Sequence, residues 1–446
     1  MSSKPEGTPA VPVPAENVPL GYGKRFAKSL NFWHDLGPGL TTGASDDDPS
    51  GIATYSQTGA QYGTQLIWLS LYTFPLMAVV QEMCARIGLV TGRGLAGNIR
   101  LHFPRWVLYV CAALLFAANA FNIGADLGAM AKASQLIFPH FRFSFLVIGF
   151  AVVGLLLQIF TTYQRYSRYL KWLALILLAY IFSALSVPTI HWASVLKDVV
   201  IPTIHWNKDQ FLIISAILGT TISPYLFFWQ TSQEVEEEIL AGKTSIAQRV
   251  RETYPEDIKK MRTDVWSGML LSNVVMFFII AACGATLFQH GITQITTAAD
   301  AAEALRPFAG DAAYTLFALG IVGTGMLAIP VLAGSSSYAL SESFGWKEGL
   351  YRRLNQARAF YAVIAVSTLL GLAMNFIGLD PIKALIYSAI GNALVAPVVL
   401  VLILLMAGNS KIMGNWVSSK VSRFFGWVIT IFMIISGIAA IWSLFR

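Results

Sequence analysis

The sequence carries little charge for its length. Only 12% of its 446 residues are Asp, Glu, Lys or Arg, whereas soluble domains average about 25%. Hydrophobic residues make up 55%, so the composition excludes a large soluble domain and indicates a polytopic membrane protein. Cysteine is also scarce: three stand in separate apolar segments, which excludes a disulfide framework and a cysteine metal cluster.

Long apolar runs are abundant, and each has about the 20 residues that a helix needs to cross a bilayer. A segment between them, residues 234–263, mixes both signs of charge and predicts a solvated helix. Residues 1–22 are polar and rich in proline, which predicts a disordered cytoplasmic tail and not a signal peptide. The runs predict an all-α protein with eleven transmembrane helices, at about residues 37–62, 64–91, 104–136, 144–162, 168–187, 209–233, 264–288, 312–340, 358–377, 381–407 and 424–444.

The distribution of lysine and arginine predicts the orientation. With the N-terminus in the cytoplasm, 24 of the 31 basic residues lie in cytoplasmic segments and 7 lie outside. This bias follows the positive-inside rule and places the C-terminus outside. The net charge of +7 therefore reflects topology, and no nucleic-acid partner is expected. We expect a monomer embedded in the lipid bilayer of a plasma membrane, specifically a bacterial inner membrane.

Two predicted spans are interrupted by proline. The first contains GASDDDPSGIA, residues 43–53, in which Asp46, Asp47 and Asp48 precede the proline. The sixth contains GTTISPYLFF, residues 219–228. Proline removes a backbone donor, so helix breaks at membrane depth persist where they line a cavity. Breaks in corresponding helices of two five-helix halves point to a transporter's binding site near the bilayer midplane. A kink without function is the alternative.

The three aspartates of the first break predict cation binding, because charged side chains inside a membrane are costly and usually functional. Asp48 directly precedes the break, where unwound backbone carbonyls also become available. Carboxylate, carbonyl and water oxygens together suit a hard cation. For Asp46 and Asp47 the alternative is a solvated vestibule in which they contribute only negative potential.

Other titratable side chains are rare within the predicted spans. Asp126, in NIGADLGAM, is the one other acid deep in a span. Glu82, at the cytoplasmic end of a span, is interpreted as an ion pair with Arg86, four residues later. All six histidines lie in loops or at span ends, which argues against a histidine proton relay through the membrane.

Three stretches resemble the Nramp family of divalent-metal transporters. GPGL at 37–40 followed by DPSG at 48–51 is similar to the family's first-helix break, which reads Asp-Pro-Gly-Asn. ARIGLVTGRGLA at 85–96 resembles the family's ARLGIVTGRDLA, and LGTTISPYLFF at 218–228 stands where the family has Met-Pro-His. The resemblance covers about residues 37–410.

This resemblance implies the leucine-transporter fold, with the metal bound between the first and sixth helices. The two inverted five-helix repeats of that fold would fall at about residues 37–187 and 209–407, within a transporter core of residues 23–410. Residues 411–446 then hold the eleventh helix. Sequence identity between the two halves is not apparent by inspection, so the repeat rests on the hydropathy pattern and on the resemblance.

Several family ligands are replaced in this chain. The family's aspartate is kept as Asp48, but its asparagine ligand falls on Gly51 and its methionine on Ser223. Its two histidines of the sixth helix fall on Tyr225 and Gln230. These replacements remove the soft sulfur ligand and most groups of the family's proton route.

The third and tenth helices also depart from the family. The third-helix pattern Asp-x-x-Glu keeps its aspartate as Asp126 but has Ala129 in place of the glutamate. In the tenth helix the family's glutamine falls on Ala389, with Asn392 one turn later. The whole set resembles the Nramp-related branch that carries magnesium.

We therefore predict an importer of Mg²⁺, together with Mn²⁺, that works by alternating access without proton coupling. A thioether selects softer transition metals, so its loss and the loss of the asparagine predict a roomier site built from oxygen donors. Mg²⁺ keeps several waters and suits such a site. The candidate metal-site residues are Asp48, the carbonyls of Ser45 and Thr220 that ligate metal in the family, Ser223 and Asn392 through bound water, Gly51 at the break, and Asp46 and Asp47 at the outer mouth. The candidates for a proton route or gate are Asp126, Tyr225 and Gln230.

Three alternatives stay open at this point. The first is a proton-coupled Mn²⁺/Fe²⁺ importer of the ordinary Nramp type. The second is an organic-solute symporter on the same fold, although three acids at the first break repel a substrate carboxylate. The third is a metal-sensing membrane receptor that does not transport, for which the sequence offers no sizeable output domain. An enzyme and a bound cofactor are not expected, because no nucleophile–base pair is apparent.

Overall fold

The computed structural model describes residues 37–161, 178–188, 190–205 and 207–444, and within these every regular element is helical. Short 3₁₀ turns lie at Phe288–His290, Glu303–Leu305, Gly310–Ala312 and Gly414–Trp416. The α-helices are α1 Pro38–Asp46, α2 Pro49–Tyr62, α3 Trp68–Thr91, α4 Leu95–His102, α5 Arg105–Ile137, α6 Phe143–Phe160, α7 Leu178–Ser186, α8 Trp192–Val200, α9 Lys208–Thr221, α10 Pro224–Leu240, α11 Ile246–Arg251, α12 Pro255–Thr286, α13 Ala298–Ala302, α14 Arg306–Ala309, α15 Ala313–Phe344, α16 Arg358–Met374, α17 Pro381–Ala407, α18 Ser410–Met413 and α19 Lys420–Leu444. The predicted all-α fold is confirmed.

Eight helical segments of the described chain are long and apolar enough to cross a membrane. Three further predicted spans are shorter: the first is divided into α1 and α2, α16 has 17 residues, and the fifth is described only over α7. The predicted tail at residues 1–22 lies outside the described residues. The eight spans are Trp68–Thr91, Arg105–Ile137, Phe143–Phe160, Lys208–Leu240, Pro255–His290, Ala298–Phe344, Pro381–Ala407 and Lys420–Trp442.

The prediction of one solvated helix over residues 234–263 is wrong. Helix α10 continues to Leu240, and Glu234, Glu236 and Glu238 are buried. Their burial is made possible by polar partners, because a buried carboxylate is stable only when it is paired or hydrogen-bonded. Lys243, for example, lies 3.2 Å from Glu238. The short helix α11 and the first turns of α12 form the rest of the segment.

The loop between α15 and α16 folds back over the end of α10. The backbone N–H of Leu350 donates to Glu236 at 2.5 Å. Glu348, in the same loop, has its pKa raised to about 9, because burial and the negative charges of Glu342 and Glu236 disfavour its ionised form more than Arg352 favours it. This loop therefore carries a carboxyl group that is protonated at neutral pH.

The interpretation of Glu82 as an ion pair with Arg86 is confirmed. The structure adds two partners from α12: the Arg262 guanidinium lies 2.9 Å from the Glu82 carboxylate, and the Trp266 indole N–H donates to it at 2.9 Å. Glu82 thus ties α3 to α12 at the cytoplasmic side of the predicted topology.

Helix α1 lies directly against the backbone of α12. A Cβ atom at Gly43 would overlap the carbonyl oxygen of Gly268, and a Cβ atom at Gly268 would overlap the carbonyl oxygen of Gly39. Small residues in this pattern let two membrane helices approach to backbone contact. The Asp264 carboxylate of α12 also accepts hydrogen bonds from the N–H groups of Gly37 and Gly39, at 2.9 and 2.6 Å, and so caps the start of α1.

Candidate metal site at the paired helix breaks

The two predicted helix breaks are present and adjacent. Helix α1 ends at Asp46, Asp47 leaves helical geometry with ψ of 53°, and Asp48 is the N-cap of α2. The second break separates α9 from α10 at Ile222, and α9 packs against α2. The Tyr225 hydroxyl links the breaks directly, because it donates to the Ser45 carbonyl at 3.1 Å.

Asp48 is held at the centre of this junction. Its Oδ1 accepts a hydrogen bond from the Gly51 N–H at 2.7 Å, which caps α2. Its Oδ2 accepts from the Asn122 side-chain amide at 3.0 Å, and the Tyr225 hydroxyl lies 3.5 Å away. The side chain is 1% exposed. Asp48 is therefore oriented by groups from three helices, as expected for a ligand held in a fixed geometry.

The expectation that Asp46 and Asp47 lie at the outer mouth is wrong. They are 0% and 3% exposed and pack against the middle of α12, where the Ser272 hydroxyl lies 2.5 Å from Asp46 Oδ2 and 3.3 Å from Asp47 Oδ1. The physical reason is that α1 ends at this depth, so both residues stay within the helix packing. The second oxygen of Asp46 is buried without a hydrogen-bond partner.

A fourth carboxylate joins the three of the break. Asp126 of α5 is 0% exposed, lies close to Asp48 and to the backbone of Ser50, and neither of its oxygens makes a hydrogen bond. Among the described residues, no ion pair includes any of these four carboxylates. Buried carboxylates without basic partners require protons or a bound cation to offset their charge. The junction is therefore built to attract positive charge.

Ser223 uses its hydroxyl within its own helix turn. Its oxygen lies 2.7 Å from the Gly219 carbonyl and 2.8 Å from the Thr220 carbonyl, so its proton is donated there. This is the common behaviour of a buried serine. Both predicted carbonyl ligands therefore accept a hydrogen bond in this structure. The Thr220 carbonyl accepts one from Ser223, and the Ser45 carbonyl accepts one from Tyr225. Each carbonyl retains a second lone pair for another donor or a cation.

The space beside Gly51 is closed, contrary to the expected roomier site. A Cβ atom there would lie 3.2 Å from the Asp46 carbonyl oxygen and 3.2 Å from the Thr220 hydroxyl. Glycine at this position lets the two breaks approach each other closely, so the site loses a ligand without gaining volume here.

Asn392 and Gln230 are not hydrogen-bonded to the junction. Asn392 of α17 is buried, and its side-chain oxygen has no hydrogen-bond partner. Helix α17 reaches the first break through Ser388, whose hydroxyl lies 3.0 Å from that of Ser50. The Gln230 amide donates to Glu234 at 2.8 Å, one turn further along α10. Gln230 therefore bonds along α10 towards Leu240, away from the break before Pro224.

Sequence reasoning missed Asn122 and Ser272, which contact the aspartates from α5 and α12. The available signal was the spacing of Asn122 and Asp126, which puts both on one face of a helix. Among the described residues, no three His, Cys, Asp or Glu side chains converge with the geometry of a bound metal ion. A cation at the junction would therefore need further ligands, such as water, amide and carbonyl oxygens.

Comparisons with known proteins agree with this architecture. The chain is 25% identical over 399 residues to the divalent metal cation transporter MntH of Klebsiella pneumoniae strain 342, covering 88% of this chain and 90% of that protein. Its fold matches a manganese transporter of Eremococcus coleocola, with a TM-score of 0.72, 20% identity, and coverage of 96% and 89%. It also matches the inward-facing Mhp1, which has the leucine-transporter fold, with a TM-score of 0.51, 13% identity, and coverage of 92% and 91%.

A match to a protein-family model assigns the family, which these individual similarities leave open. The model described as Natural resistance-associated macrophage protein-like matches residues 39–443, which is most of the chain and includes both helix breaks. The resemblance seen in the three sequence stretches is thereby confirmed. This membrane protein belongs to the Nramp family.

Proposed function

We propose that this protein is a secondary transporter that imports divalent metal ions, Mg²⁺ together with Mn²⁺, by alternating access and without proton coupling. One observation carries the proposal: four carboxylates, at Asp46, Asp47, Asp48 and Asp126, are buried at the paired breaks without a basic partner among the described residues. The names of the K. pneumoniae and E. coleocola relatives support divalent metal as the transported substrate.

The preference for hard ions rests on donor chemistry. The groups that hydrogen-bond to the aspartates are hydroxyls and amides, and Ser223 stands where the family has methionine. Oxygen donors favour Mg²⁺ and Mn²⁺, whereas a thioether favours softer metals. Mg²⁺ sheds its water reluctantly and is usually bound with several waters retained. We propose that it is carried partly hydrated, with Asp48 contacting the ion or its water shell.

Alternating access is supported by the closure of the site and by the division of two helices. Asp48 and its neighbours are almost fully buried, so the structure represents a closed state of the junction. The half-helices α1 and α10 are separated from their partners by the breaks, and we propose that they change angle between the two access states. We place the N-terminus in the cytoplasm and the C-terminus outside, with one monomer as the transporting unit and repeats at about residues 37–187 and 209–407.

A proton-coupled Mn²⁺/Fe²⁺ importer is the second candidate, and one observation favours it. Asp126 is a buried carboxylate with no hydrogen bond, next to Asp48, and could accept a proton when metal binds. Against it stand Tyr225, Gln230 and Ala129, which replace the titratable groups of the family's proton route. An organic-solute symporter and a non-transporting receptor are less well supported by four buried acids.

Uptake into proteoliposomes tests the proposal. Vesicles containing a metal-quenched dye and a pH-sensitive dye should show Mn²⁺ entry that millimolar Mg²⁺ inhibits, without acidification of the lumen. Asp48→Asn should lose this entry, and Asp311→Asn, in an exposed turn before α15, is its control, because it removes a negative charge far from the breaks. Acidification that follows metal uptake would establish the proton-coupled importer instead. Failure of Mg²⁺ to inhibit Mn²⁺ entry would contradict the magnesium assignment.

A further inference from the structure

We propose that helix α5 completes the cation site with a second set of oxygen ligands: the side-chain oxygen of Asn122 and the carboxylate of Asp126, which bind the ion or its coordinated water opposite Asp48. The inference rests on the proposed function, because it names the groups that hold the proposed substrate. It differs from that proposal by placing the ion between the first break and α5, and not chiefly between the two breaks.

The orientation of the Asn122 amide is the first step. Its Nδ2 donates to Asp48 Oδ2 at 3.0 Å, and its Oδ1 has no hydrogen-bond partner although the residue is 0% exposed. The opposite orientation would place two oxygens in contact, one of them on a carboxylate, so the hydrogen bond fixes the amide. A buried amide oxygen without a partner is unfavourable. It is therefore a vacant acceptor beside the central carboxylate.

Asp126 is the second step. It lies one turn beyond Asn122 on the same face of α5, close to Asp48, with both oxygens free of hydrogen bonds. Two neighbouring buried carboxylates repel each other when both are ionised, so a proton or a cation must offset their charge. A divalent cation balances the two charges of Asp48 and Asp126, and the Asn122 oxygen adds a neutral ligand suited to Mg²⁺ or to its bound water.

The second break offers fewer vacant acceptors. The Ser223 hydroxyl donates within its own turn, and its acceptors include the Thr220 carbonyl. At the first break, Gly51 adds no side-chain ligand beside Asp48. Helix α5, in contrast, has four buried side-chain oxygens without hydrogen bonds; one on Asn122 and two on Asp126 lie on the side of Asp48, and the fourth is on Asn119, whose amide is bonded to α15. The balance of available ligands therefore favours the α5 side of Asp48.

The position of α5 is fixed by a neighbouring asparagine. The Asn119 amide, one turn before Asn122, lies 3.0 Å from the Leu332 carbonyl and 2.9 Å from the Ser335 hydroxyl of α15. This contact anchors the ligand-bearing face of α5 against α15. It also supplies a matched control, because Asn119 is an equally buried asparagine whose Oδ1 is also without a hydrogen bond, but whose amide is bonded to α15 and not to Asp48.

Equilibrium binding to the purified full-length protein tests the inference. MnCl₂ and MgCl₂ are titrated calorimetrically into the unmodified protein and the variants Asn122→Ala, Asp126→Asn and Asn119→Ala, with melting temperatures recorded for each. We expect Asp126→Asn to weaken binding of both ions at least tenfold and Asn122→Ala to weaken it about fivefold. Asn119→Ala should lower the melting temperature and leave affinity within twofold of the unmodified protein.

The outcomes separate this inference from the proposed function. If the unmodified protein binds the ions and Asn122→Ala and Asp126→Asn bind them equally well, the α5 ligands are wrong and the transporter assignment stands. The same result, together with acidification of the lumen by the unmodified protein that Asp126→Asn abolishes, would give that residue a proton-transfer role and would contradict transport without proton coupling. If the unmodified protein binds neither Mn²⁺ nor Mg²⁺, the proposed function itself fails, and this inference fails with it.

Discussion

Replacing Asp48 by asparagine separates the two roles of this side chain, helix capping and charge. Its Oδ1 accepts the Gly51 N–H at 2.7 Å, and asparagine caps helices about as well as aspartate. We therefore expect Asp48→Asn to keep α2 intact and Asp48→Ala to lose about 1 kcal/mol of stability through the missing cap. The loss of charge is common to both variants, so their difference isolates the cap.

The loss of charge should dominate metal binding. Two unit charges 4 Å apart attract by about 4 kcal/mol at an effective dielectric constant of about 20. A divalent ion roughly doubles this attraction, and desolvation of the carboxylate and the ion removes much of it. A net loss of about 3 kcal/mol corresponds to a decrease in affinity of about a hundredfold. We expect that decrease for Mn²⁺ and Mg²⁺ alike, together with loss of uptake.

Calorimetric titration in detergent measures the affinity, and thermal unfolding reports the cap. The aspartates that contact Ser272 supply the comparison, because Asp46→Asn and Asp47→Asn remove the same charge one or two residues earlier. Affinity within threefold of the unmodified protein for Asp48→Asn, with binding lost in either comparison variant, would refute the central position of Asp48. The ion would then lie between the end of α1 and α12.

Three further predictions concern separate parts of the molecule. Ser223→Met should raise Cd²⁺ affinity in competition with Mn²⁺, and unchanged Cd²⁺ affinity would show that position 223 does not face the ion. Adding Gly51→Asn should lower the melting temperature, because a Cβ atom at position 51 would lie 3.2 Å from two oxygens. Asp264→Ala removes the cap of α1 and should loosen that helix, so a cysteine placed at the buried Thr42 should react faster with a soluble maleimide. Equal rates with and without Asp264→Ala would contradict the role of Asp264 as an anchor of α1. Folding raises the pKa of Glu348 from 4.5 to about 9, so stability should decline as pH rises between those values. Glu348→Gln should flatten that decline in thermal unfolding, and an unaltered slope would exclude this carboxyl as its source.

The helix breaks could be predicted from the sequence because their causes are local. Proline at residues 49 and 224 cannot continue a preceding helix without losing a hydrogen bond, and the structure begins α2 and α10 at these residues. The paired positions of the breaks and the aspartate before the first proline located the candidate site. Hydropathy likewise gave the spans, since bilayer thickness sets their length.

The contacts around the aspartates could not be predicted, because they depend on which helices meet. Asn122 is one of several polar residues in apolar spans, and only the tertiary fold distinguishes it from Asn119, which packs against α15. The direction of the Ser223 hydroxyl depends on a choice between side-chain rotamers. The burial of Glu236 could not be predicted either, because it depends on the tertiary fold: its partner Leu350 lies in a loop more than a hundred residues away.

The contact between α1 and α12 determines how α1 can move. Its surface at Gly39, Gly43 and Gly268 is backbone against backbone, and the side-chain hydrogen bonds between the two helices lie at the ends of α1, to Asp264 and to Ser272. The nine residues of α1 form a helix about 14 Å long, and in the proposed mechanism this helix would pivot at the break before Asp48. A rotation of about 20° displaces its far end by about 5 Å, which is wider than one water molecule. In the proposed alternating-access mechanism, a small change of angle would therefore open a gap for water or for an ion that has lost part of its shell, and a methyl group added at Gly43 would obstruct the change, because it would overlap the Gly268 carbonyl oxygen.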